Sequence, residues 1–577
     1  MLFYDFEVFK EDWSVVILDM AAKQETVIVN DSDKMQSFYE SHRDDIWVGY
    51  NSRYYDQYIL KGILCGFDPK KINDWIIVED RPGWQYSSLF QKIQLYNFDV
   101  MMRTDRGLKV LEGFMGNMIK ESDIDFNLDR KLTQAEIQET IKYCRHDVEQ
   151  TVEVFMKTIN EFNAVMGLIN MFPEVLSIAD ISKTKAQISA KILECERVDR
   201  NDEFDISVLP CIEIKKYGTA KEFFLNPKNH WYKNGTKKNE FKMVIAGVEH
   251  QLGWGGIHAA KEKYHNDGKN RQIWHVDVAS FYPRLMIFHN LLTRNCKRPE
   301  KFKQIYETRL KLKHEGKKKE QAPLKVVING TYGICKDKTS SAFDPRNANL
   351  ICVNGQLMLI DLIEKLEAIK GFELIQSNTD GLIVSLPDTD EAFDQMDDIC
   401  HEWEVRCNME LEFDEMTEIY QKDVNNYVFR FSNGKLERKG SYVKELSDID
   451  YDLPIVNKAL VDYMMNHVPV ERTILDCDEL KEFQQVKKAS GKYECIRHGG
   501  KVLNEKCIRC FASKDKKDGG LIKVHATTGR PAKLEGTPTH AFLWNDSVEG
   551  VKCPSKLDKQ WYIDMARKRL VDFGVMT

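Results

Sequence analysis

The amino-acid sequence predicts a protein of several domains that combine α/β and α+β folds. The chain has 577 residues, and a single hydrophobic core stops growing at roughly 250–300 residues, so two to four domains are expected. Residues 1–155 combine short apolar strands with amphipathic helices, residues 293–335 form a basic helical pair, and residues 346–440 return to helix and strand. These changes of pattern along the chain indicate a mixed fold.

Composition and charge exclude several classes of protein. No long uncharged apolar run is present, so no membrane-spanning segment is expected, and the N-terminus MLFYDFEVFK has no signal-peptide pattern. The 14 cysteines lack a regular disulfide spacing, which favours a reducing cytoplasm. The net charge is −7, yet residues 1–150 alone hold 18 Lys and Arg against 27 Asp and Glu. Carboxylates therefore dominate the first part of the chain.

A first group of acidic residues follows apolar elements within residues 1–150. Asp5 and Glu7 end a short strand as D-x-E, and residues two apart share one face of a strand. Asp56 follows in YNSRYYD, and Tyr143 and Asp147 are four apart, hence neighbours on a helix. The four carboxylates are predicted to hold two metals, with Tyr143 orienting the attacking water. The alternative is that such pairs lie on solvated faces.

The helix that carries Tyr143 and Asp147 is itself strongly predicted. Thr133 and Glu136 form a capping-box pattern at its start. Apolar residues then recur at spacings of three and four as far as Phe155, which is the period of an amphipathic helix.

A second group of polar residues predicts a nucleotide site. An extended run ends at Asp277, and Pro283 suits the first turn of the helix that follows. Two apolar runs flank a polar turn with Asp380 at its tip, a hairpin pattern that lets Asp380 share a metal with Asp277.

A basic helical region lies between these two aspartates in the sequence. Lys325, Asn329 and Tyr332 are spaced four and three apart, so a helix places them on one stripe that suits triphosphate, base and sugar. Arg309 falls on the apolar face of the preceding helix, where an unpaired charge is costly and an anionic partner is expected.

These segments, in this order, resemble two known families. The first acidic group resembles the DEDD-type 3′–5′ proofreading exonucleases of the Tyr subclass, with Asp99 as an accessory acid. The second resembles motifs A, B and C of family B DNA polymerases: DVASFYP at 277–283, K-x3-N-G-x-Y-G at 325–333, and NTDG at 378–381. Asn378 departs from the family, which has an aspartate there.

The resemblance implies a domain order and a mechanism. The expected domains are an RNase H-like exonuclease at 1–155, a helical linker at 156–240, a right-hand palm at 241–292 and 346–440, fingers at 293–345, and a thumb at 441–577. Each active site would hold two Mg²⁺ or Mn²⁺ ions. Asp277 and Asp380 would bind the polymerase metals, and Ser280 and Tyr282 would join the nucleotide site, with the Tyr282 ring excluding a 2′-hydroxyl.

Further positions match the family's DNA contacts. Gly255 and Gly256 resemble a segment that touches the template strand, whereas Lys422, Tyr427 and Lys439 resemble the region that holds the primer end. The alternatives are a plain glycine turn and a solvated strand pair.

The resemblance also implies partners and a setting. These are primer–template DNA and dNTPs, with helicase, single-strand-binding or processivity proteins as further partners of a monomer. The size resembles phage or mobile-element enzymes, which would place the protein in the cytoplasm of a bacterial host. Two alternatives stay open: an exonuclease whose polymerase half is inert, and a non-catalytic, zinc-bearing replication factor that binds nucleic acid.

The tail contains a candidate zinc knuckle at 495–510. Cys495 and His498 form one C-x2-H pair, and Cys507 and Cys510 form a C-x2-C pair. Together they would supply three thiolates and one imidazole for a tetrahedral ion. The alternative is reduced, partly buried cysteines.

Overall fold

The computed structural model describes residues 1–576. The strands are β1 (Leu2–Val8), β2 (Trp13–Asp19), β3 (Gln24–Val29), β4 (Ile46–Gly49), β5 (Tyr96–Asp99), β6 (Lys233–Asn234), β7 (Lys237–Lys238), β8 (Glu240–Ile245), β9 (Val248–Gly253), β10 (Ala259–Ala260), β11 (Tyr264–Asn266), β12 (Arg271–Val278), β13 (Glu373–Ser377), β14 (Gly381–Pro387), β15 (Leu411–Asp423), β16 (Asn426–Phe431), β17 (Leu436–Lys439), β18 (Gln485–Lys488), β19 (Tyr493–His498), β20 (Lys501–Val502), β21 (Cys507–Ala512), β22 (Leu521–His525), β23 (Pro531–Lys533) and β24 (Ala541–Leu543).

The helices follow the same chain order. They are α1 (Ser32–Ser41), α2 (Asp56–Leu64), α3 (Pro69–Asn73), α4 (Met101–Thr104), α5 (Leu108–Met115), α6 (Gln134–Lys157), α7 (Ile159–Met171), α8 (Lys185–Ile192), α9 (Gly218–Leu225), α10 (Phe281–Phe288), α11 (Pro299–His314), α12 (Lys318–Lys336), α13 (Pro345–Leu366), α14 (Asp390–Cys407), α15 (Pro454–Asn466), α16 (Val470–Asp476) and α17 (Lys559–Asp572). Within residues 1–576, no helix has both the length and the apolar composition that a bilayer crossing requires.

The chain divides into two compact units, which confirms the prediction of a mixed, multidomain fold. The first comprises Met1–Lys183, Leu446–Ile455 and Cys477–Tyr562. The second comprises Thr184–Glu445, Val456–Asp476 and the residues from Ile563 onward. The segment 441–577, predicted as a single thumb, is therefore shared between both units.

The first unit is built on a five-stranded sheet in the order β3-β2-β1-β4-β5. The first three strands are antiparallel, whereas β4 is parallel to both β1 and β5. Helix α6 packs against β1 and β2. The capping box of Thr133 and Glu136 is present at the start of α6, as the sequence predicted.

Two small antiparallel sheets from the tail also belong to the first unit. They have the orders β18-β21-β24 and β20-β19-β22-β23. The fully buried Arg509 on β21 donates hydrogen bonds to the backbone oxygens of Gly113, Asn117 and Asp546 at 2.7–2.9 Å. Gly113 lies in the last turn of α5 and Asn117 just after it, so two of these bonds tie this part of the tail to the first unit.

The second unit is built on an eight-stranded sheet. Seven strands follow the order β10-β13-β14-β12-β15-β16-β17, and β11 pairs with β15. Strand β12 lies at its centre, antiparallel to β14 and β15. The predicted basic helical pair is present as α11 and α12, and α12 packs against α8, α11 and α13. Asp277 lies near the end of β12, where it pairs with Gly381 on one side and Glu412 on the other.

We expect Arg509→Met to lower the free energy of unfolding of the first unit by about 3 kcal/mol, because several buried carbonyls lose their donor. The measurement is the urea midpoint of the transition that includes this unit. Arg130→Met is the control, since Arg130 forms a mostly exposed ion pair with Glu136, and its midpoint should stay at the wild-type value. Equal midpoints for both variants would contradict a stabilising role for Arg509.

Candidate active sites

The four carboxylates predicted in the first unit lie together. Asp5 and Glu7 project from β1, Asp56 is the first residue of α2, and Asp147 lies on α6. The backbone N–H of Phe6 donates to Asp56 Oδ1 at 3.0 Å, which ties the start of α2 to β1. Glu7, Asp56 and Asp147 are each at most 9% exposed.

Burial and mutual repulsion raise the pKa values of these groups. Burial is the largest cause for Asp5 and Glu7, and the charges of Asp56 and Asp147 add to it for both groups. Burial raises the pKa of Asp56 to about 7. Carboxylates held this closely are costly to ionise without a cation, and divalent metals bind such oxygen sets. The four residues therefore fit the metals that the resemblance implies.

Lys109 on α5 belongs to this site and was not found from the sequence. Its Nζ donates to Asp147 and, at 3.0 Å, to Glu112 Oε1. It also lies 4.7 Å from the centre of the Tyr143 ring. The only sequence signal was the Lys–Glu spacing of three on a short helix, which is common on surfaces. In the fold, Lys109 places a positive charge next to the cluster of four carboxylates.

Tyr143 and Asp99 have different roles around this group. Burial, followed by the charge of Asp147, raises the pKa of Tyr143, so its hydroxyl stays protonated and can donate. Asp99 accepts backbone N–H groups from Asn51, Arg53 and Met101 at 2.9–3.0 Å. These bonds hold the loop before α2, and the role of Asp99 as an accessory acid stays a prediction.

A second pair of carboxylates lies on the central strands of the second unit. Asp277 is on β12 and Asp380 is in the turn between β13 and β14, where the N–H of Val278 donates to the Asp380 carbonyl at 2.7 Å. Burial, then the charges of Asp380 and Glu412, raises the pKa of Asp277 to about 7. A Cβ atom at Gly381 would lie 2.7 Å from Asp277 Oδ1. The approach of the two strands thus depends on glycine at position 381.

A cavity of about 480 Å³ opens next to this pair. It brings together all eight residues predicted for the polymerase metals and the nucleotide, which come from the ends of strands and from three helices: Asp277, Ser280, Tyr282, Arg309, Lys325, Asn329, Tyr332 and Asp380. Its wall also contains Lys313, Glu410 and Glu412, which the sequence analysis did not single out. Lys313 Nζ lies 3.3 Å from Glu412 Oε1, so the cavity has both signs of charge.

Helix α12 forms one wall of this cavity, with its three predicted residues on one face. Lys325 and Asn329 are exposed, and Tyr332 is half-buried. The Tyr332 ring lies 4.7 Å from the Tyr282 ring, and the Tyr332 hydroxyl hydrogen-bonds the thiol of Cys352. The two rings form a fixed aromatic surface beside the lysine and the amide.

Arg309 occupies the position expected from its place on the apolar face of α11. Its Nε is buried and has no hydrogen-bond partner within residues 1–576. Burial lowers its pKa, although the group remains a cation at any ordinary pH. A guanidinium with a spare buried donor on a cavity wall is suited to bind an anion.

The residues predicted to contact DNA lie in two places in the second unit. Gly255 and Gly256 line a separate cavity of about 490 Å³ with Trp254. Tyr427 and Lys439 are cross-strand partners on β16 and β17, with Lys439 Nζ 5.9 Å from the Tyr427 ring. Lys422 lies on β15, where its Nζ forms a 2.6 Å ion pair with Asp423.

The four predicted zinc ligands are not brought together. Cys495 and His498 lie on β19 and Cys507 and Cys510 on β21, in different sheets. His498 Nε2 lies 2.7 Å from the Ala541 carbonyl, and Cys507 Sγ donates to the Lys109 carbonyl at 3.5 Å. Residues three apart on a strand face opposite sides, so β21 separates its two cysteines. Within residues 1–576, the groups close enough to share an ion do not include these residues.

We expect divalent metal to stabilise the protein more as the pH rises. Asp56 and Asp277 have pKa values of about 7 in the fold against about 3.9 in an unfolded chain. The metal-free fold therefore loses stability between about pH 4 and pH 7, where only the unfolded chain releases these protons. Metal binds the ionised carboxylates. The increase that metal causes in the free energy of unfolding should therefore be roughly 2–4 kcal/mol larger at pH 8 than at pH 5.

Thermal melting with and without saturating Mg²⁺ at the two pH values measures this difference. The doubly substituted Asp56→Asn/Asp277→Asn protein is the control and should show a smaller pH dependence of the metal effect than the wild type, since only Asp5, Glu7 and Asp147 still have raised pKa values. If Mg²⁺ raised the melting temperature of the wild type equally at both pH values, the assignment of Asp56 and Asp277 to metal sites would be contradicted.

Comparison with known proteins finds similarity both in sequence and in structure. No family model matches the chain. The chain is 21% identical over 201 residues to DNA polymerase 1 of Saccharolobus solfataricus, covering 34% of this chain and about a fifth (21%) of that protein's length. The family B DNA polymerase from the hyperthermophilic archaeon Pyrobaculum calidifontis aligns with 99% of this chain and 77% of its own, at 14% identity and a TM-score of 0.42, too low to carry an argument. The chain is thus similar in sequence to a DNA polymerase, in agreement with its motifs.

Proposed function

We propose that the protein is a template-directed DNA polymerase of family B that extends a primer 3′-hydroxyl with dNTPs and also has 3′–5′ exonuclease activity. The observation that carries this proposal is the cavity beside Asp277 and Asp380. Residues from four separate segments meet there, and they supply carboxylates for metal, cations for phosphate and aromatic rings for the sugar and base. The sequence similarity to a DNA polymerase supports the same activity.

In the polymerase site, the side chains would bind and orient the nucleotide. Arg309 and Lys325 neutralise the triphosphate, because one has an unsatisfied buried donor and the other an exposed ammonium on the same cavity wall. Tyr282 lies under the sugar, with its ring supported by Tyr332, and leaves no room for a 2′-hydroxyl. Asn329 is on the same face of α12 and lines the nascent base pair.

Asp277 and Asp380 would hold two Mg²⁺ or Mn²⁺ ions in this site. When bound, such ions lower the pKa of the attacking hydroxyl and stabilise the charge on the leaving pyrophosphate. Burial, and then the charges of Asp380 and Glu412, raise the pKa of Asp277. Its carboxylate is therefore suited to a cation, and Gly381 allows the strand with Asp380 to approach.

The exonuclease site would use the residues of the first unit. Asp5, Glu7, Asp56 and Asp147 would hold the metals, which supply an activated water when bound. Tyr143 keeps its proton and is placed to donate to that water or to the phosphate. Lys109 holds the Asp147 carboxylate in place and balances its charge.

The spacing of the motifs supports a conventional primer. From Asp277 to Lys325 is 48 residues, and from Lys325 to Asp380 is 55. The first interval contains α10 and α11 and the second contains α13 and β13, which leaves little room for the insertions that grip a priming protein. We infer that the protein extends nucleic-acid primers as a monomer of phage or mobile-element type in a bacterial cytoplasm, with helicase, single-strand-binding or processivity proteins as partners.

One alternative has a specific observation in its favour. Asn378 stands where the family has an aspartate, so an exonuclease with an inactive polymerase half is the second candidate. Retention of Asp277, Asp380 and the complete nucleotide set around the cavity favours the active polymerase. The third candidate, a zinc-bearing binding factor, loses its support because its four ligands lie apart.

Labelled primer–template with Mg²⁺, with and without dNTPs, tests the proposal. We expect the wild type to extend with dNTPs and to degrade without them. Asp380→Ala should lose extension by about a thousandfold and keep degradation, whereas Asp5→Ala should show the reverse, because each removes a metal ligand from one site only.

Asp267→Ala is the matched control. Asp267 is an exposed aspartate paired with Lys269, and both activities should remain. Degradation without any extension by the wild type would support the exonuclease alternative and contradict the polymerase. Binding with neither activity would leave only a DNA-binding factor.

A further inference from the structure

The loop that carries Gly255 and Gly256 packs directly against the turn that carries Asp380. Strand β10, just after the loop, pairs with the end of β13, with Ala259 opposite Ser377. A Cβ atom on Gly256 would lie 2.3 Å from Thr379 Oγ1. A side chain at position 256 would collide with Thr379, so the loop and the turn are in close contact at this point.

His250 makes the first polar link between the two segments. Its Nδ1 lies 2.8 Å from the Val248 carbonyl, and its Nε2 lies 2.8 Å from Ser377 Oγ. A carbonyl can only accept, so Nδ1 carries the proton and Nε2 accepts from the serine hydroxyl. Burial lowers the pKa of His250 to about 4, which keeps this neutral tautomer at ordinary pH. The last residue of β13 is thus fixed by a defined hydrogen bond.

His258 makes the second link, at the turn itself. Its Nε2 lies 3.4 Å from Thr379 Oγ1, and the imidazole is also close to the side chain of Asn378. The N–H of Asn378 donates to the Gly381 carbonyl at 2.8 Å and closes the turn. Every residue from 377 to 379 therefore contacts the loop segment or its flanking strands.

This arrangement explains Asn378. An aspartate there would add a third carboxylate beside Asp277 and Asp380, and like charges held this close together repel one another. An amide instead gives the imidazole a neutral partner and leaves the metal site to two carboxylates. Asn378, which departs from the family motif, and His258, which lies next to it, are therefore treated as one pair.

We propose that His258, paired with Asn378 and supported by His250 at Ser377, is a positioning residue that couples the Gly255–Gly256 loop to Asp380. The proposal rests on the proposed function, in which Asp380 holds metal, and on the expected contact of the Gly255–Gly256 loop with the template strand. A template strand seated on the loop would then set the position of Asp380, and metal at Asp380 would in turn favour the seated template.

Steady-state extension by one nucleotide tests the positioning role. We expect His258→Ala to lower kcat about tenfold and to raise the KM for primer–template about threefold, because the turn is misplaced and metal at Asp380 no longer favours the seated template. His258→Gln, which can still bond Asn378, should recover to within about threefold of wild type. The control His265→Ala removes an exposed histidine that stacks on Tyr420 and should match wild type.

A double substitution separates the pair from two independent effects. His258→Ala/Asn378→Ala should be no slower than the worse single variant, since both remove one interaction. An unchanged kcat in His258→Ala, a raised KM with unchanged kcat, failure of His258→Gln to recover, or a double variant with the product of the two losses would each overturn the proposal.

Binding of Mn²⁺ provides a measurement that does not depend on polymerisation. In an Asp5→Ala background, single-stranded template should tighten Mn²⁺ binding at least threefold, measured by paramagnetic resonance of free Mn²⁺, and His258→Ala should abolish this effect. A wild type that extends no primer would refute the proposed function, whereas the presence or absence of the template effect on Mn²⁺ would still support or overturn the coupling.

Discussion

Repulsion between neighbouring carboxylates is the constraint on which both candidate sites depend. In each unit, strands and helices bring acidic side chains together at a central strand, where burial and like charges raise the pKa values of Asp5 and Asp277. The fold accepts this cost because backbone hydrogen bonds hold the groups in place, as the N–H of Phe6 does for Asp56. Such sites favour the binding of divalent cations, because a bound cation relieves the repulsion between the carboxylates.

The two sites balance their charge differently. In the first unit, Lys109 lies within the acidic group and pairs with Asp147, so part of the negative charge is neutralised by the chain. In the second unit, the cations are on α11 and α12, across a cavity from Asp277. A cavity wall of cations suits an anionic ligand that bridges metal and wall, which is the geometry that a nucleoside triphosphate requires.

Local patterns in the sequence were sufficient where one element carries the information. The capping box of Thr133 and the stripe of Lys325, Asn329 and Tyr332 both depend on helical spacing alone, and the structure has them as predicted. Lys109 and Glu412 gave no such signal, because their place beside the carboxylates depends on helix docking and on strand register. The cysteine pairs show the converse, since their spacing suggested a knuckle but strands β19 and β21 belong to different sheets.

The sequence by itself determined the mixed fold, the order of the motifs and the residues that face the candidate nucleotide cavity, since these follow from spacing along single elements. Only the tertiary structure decided which distant segments meet: the tail sheets with α5 through Arg509, and the glycine loop with the turn of Asp380 through His250 and His258. The reason is physical. Helical and strand periodicity are local, whereas a buried hydrogen bond between segments far apart in the chain depends on how whole sheets pack, and no short pattern encodes that.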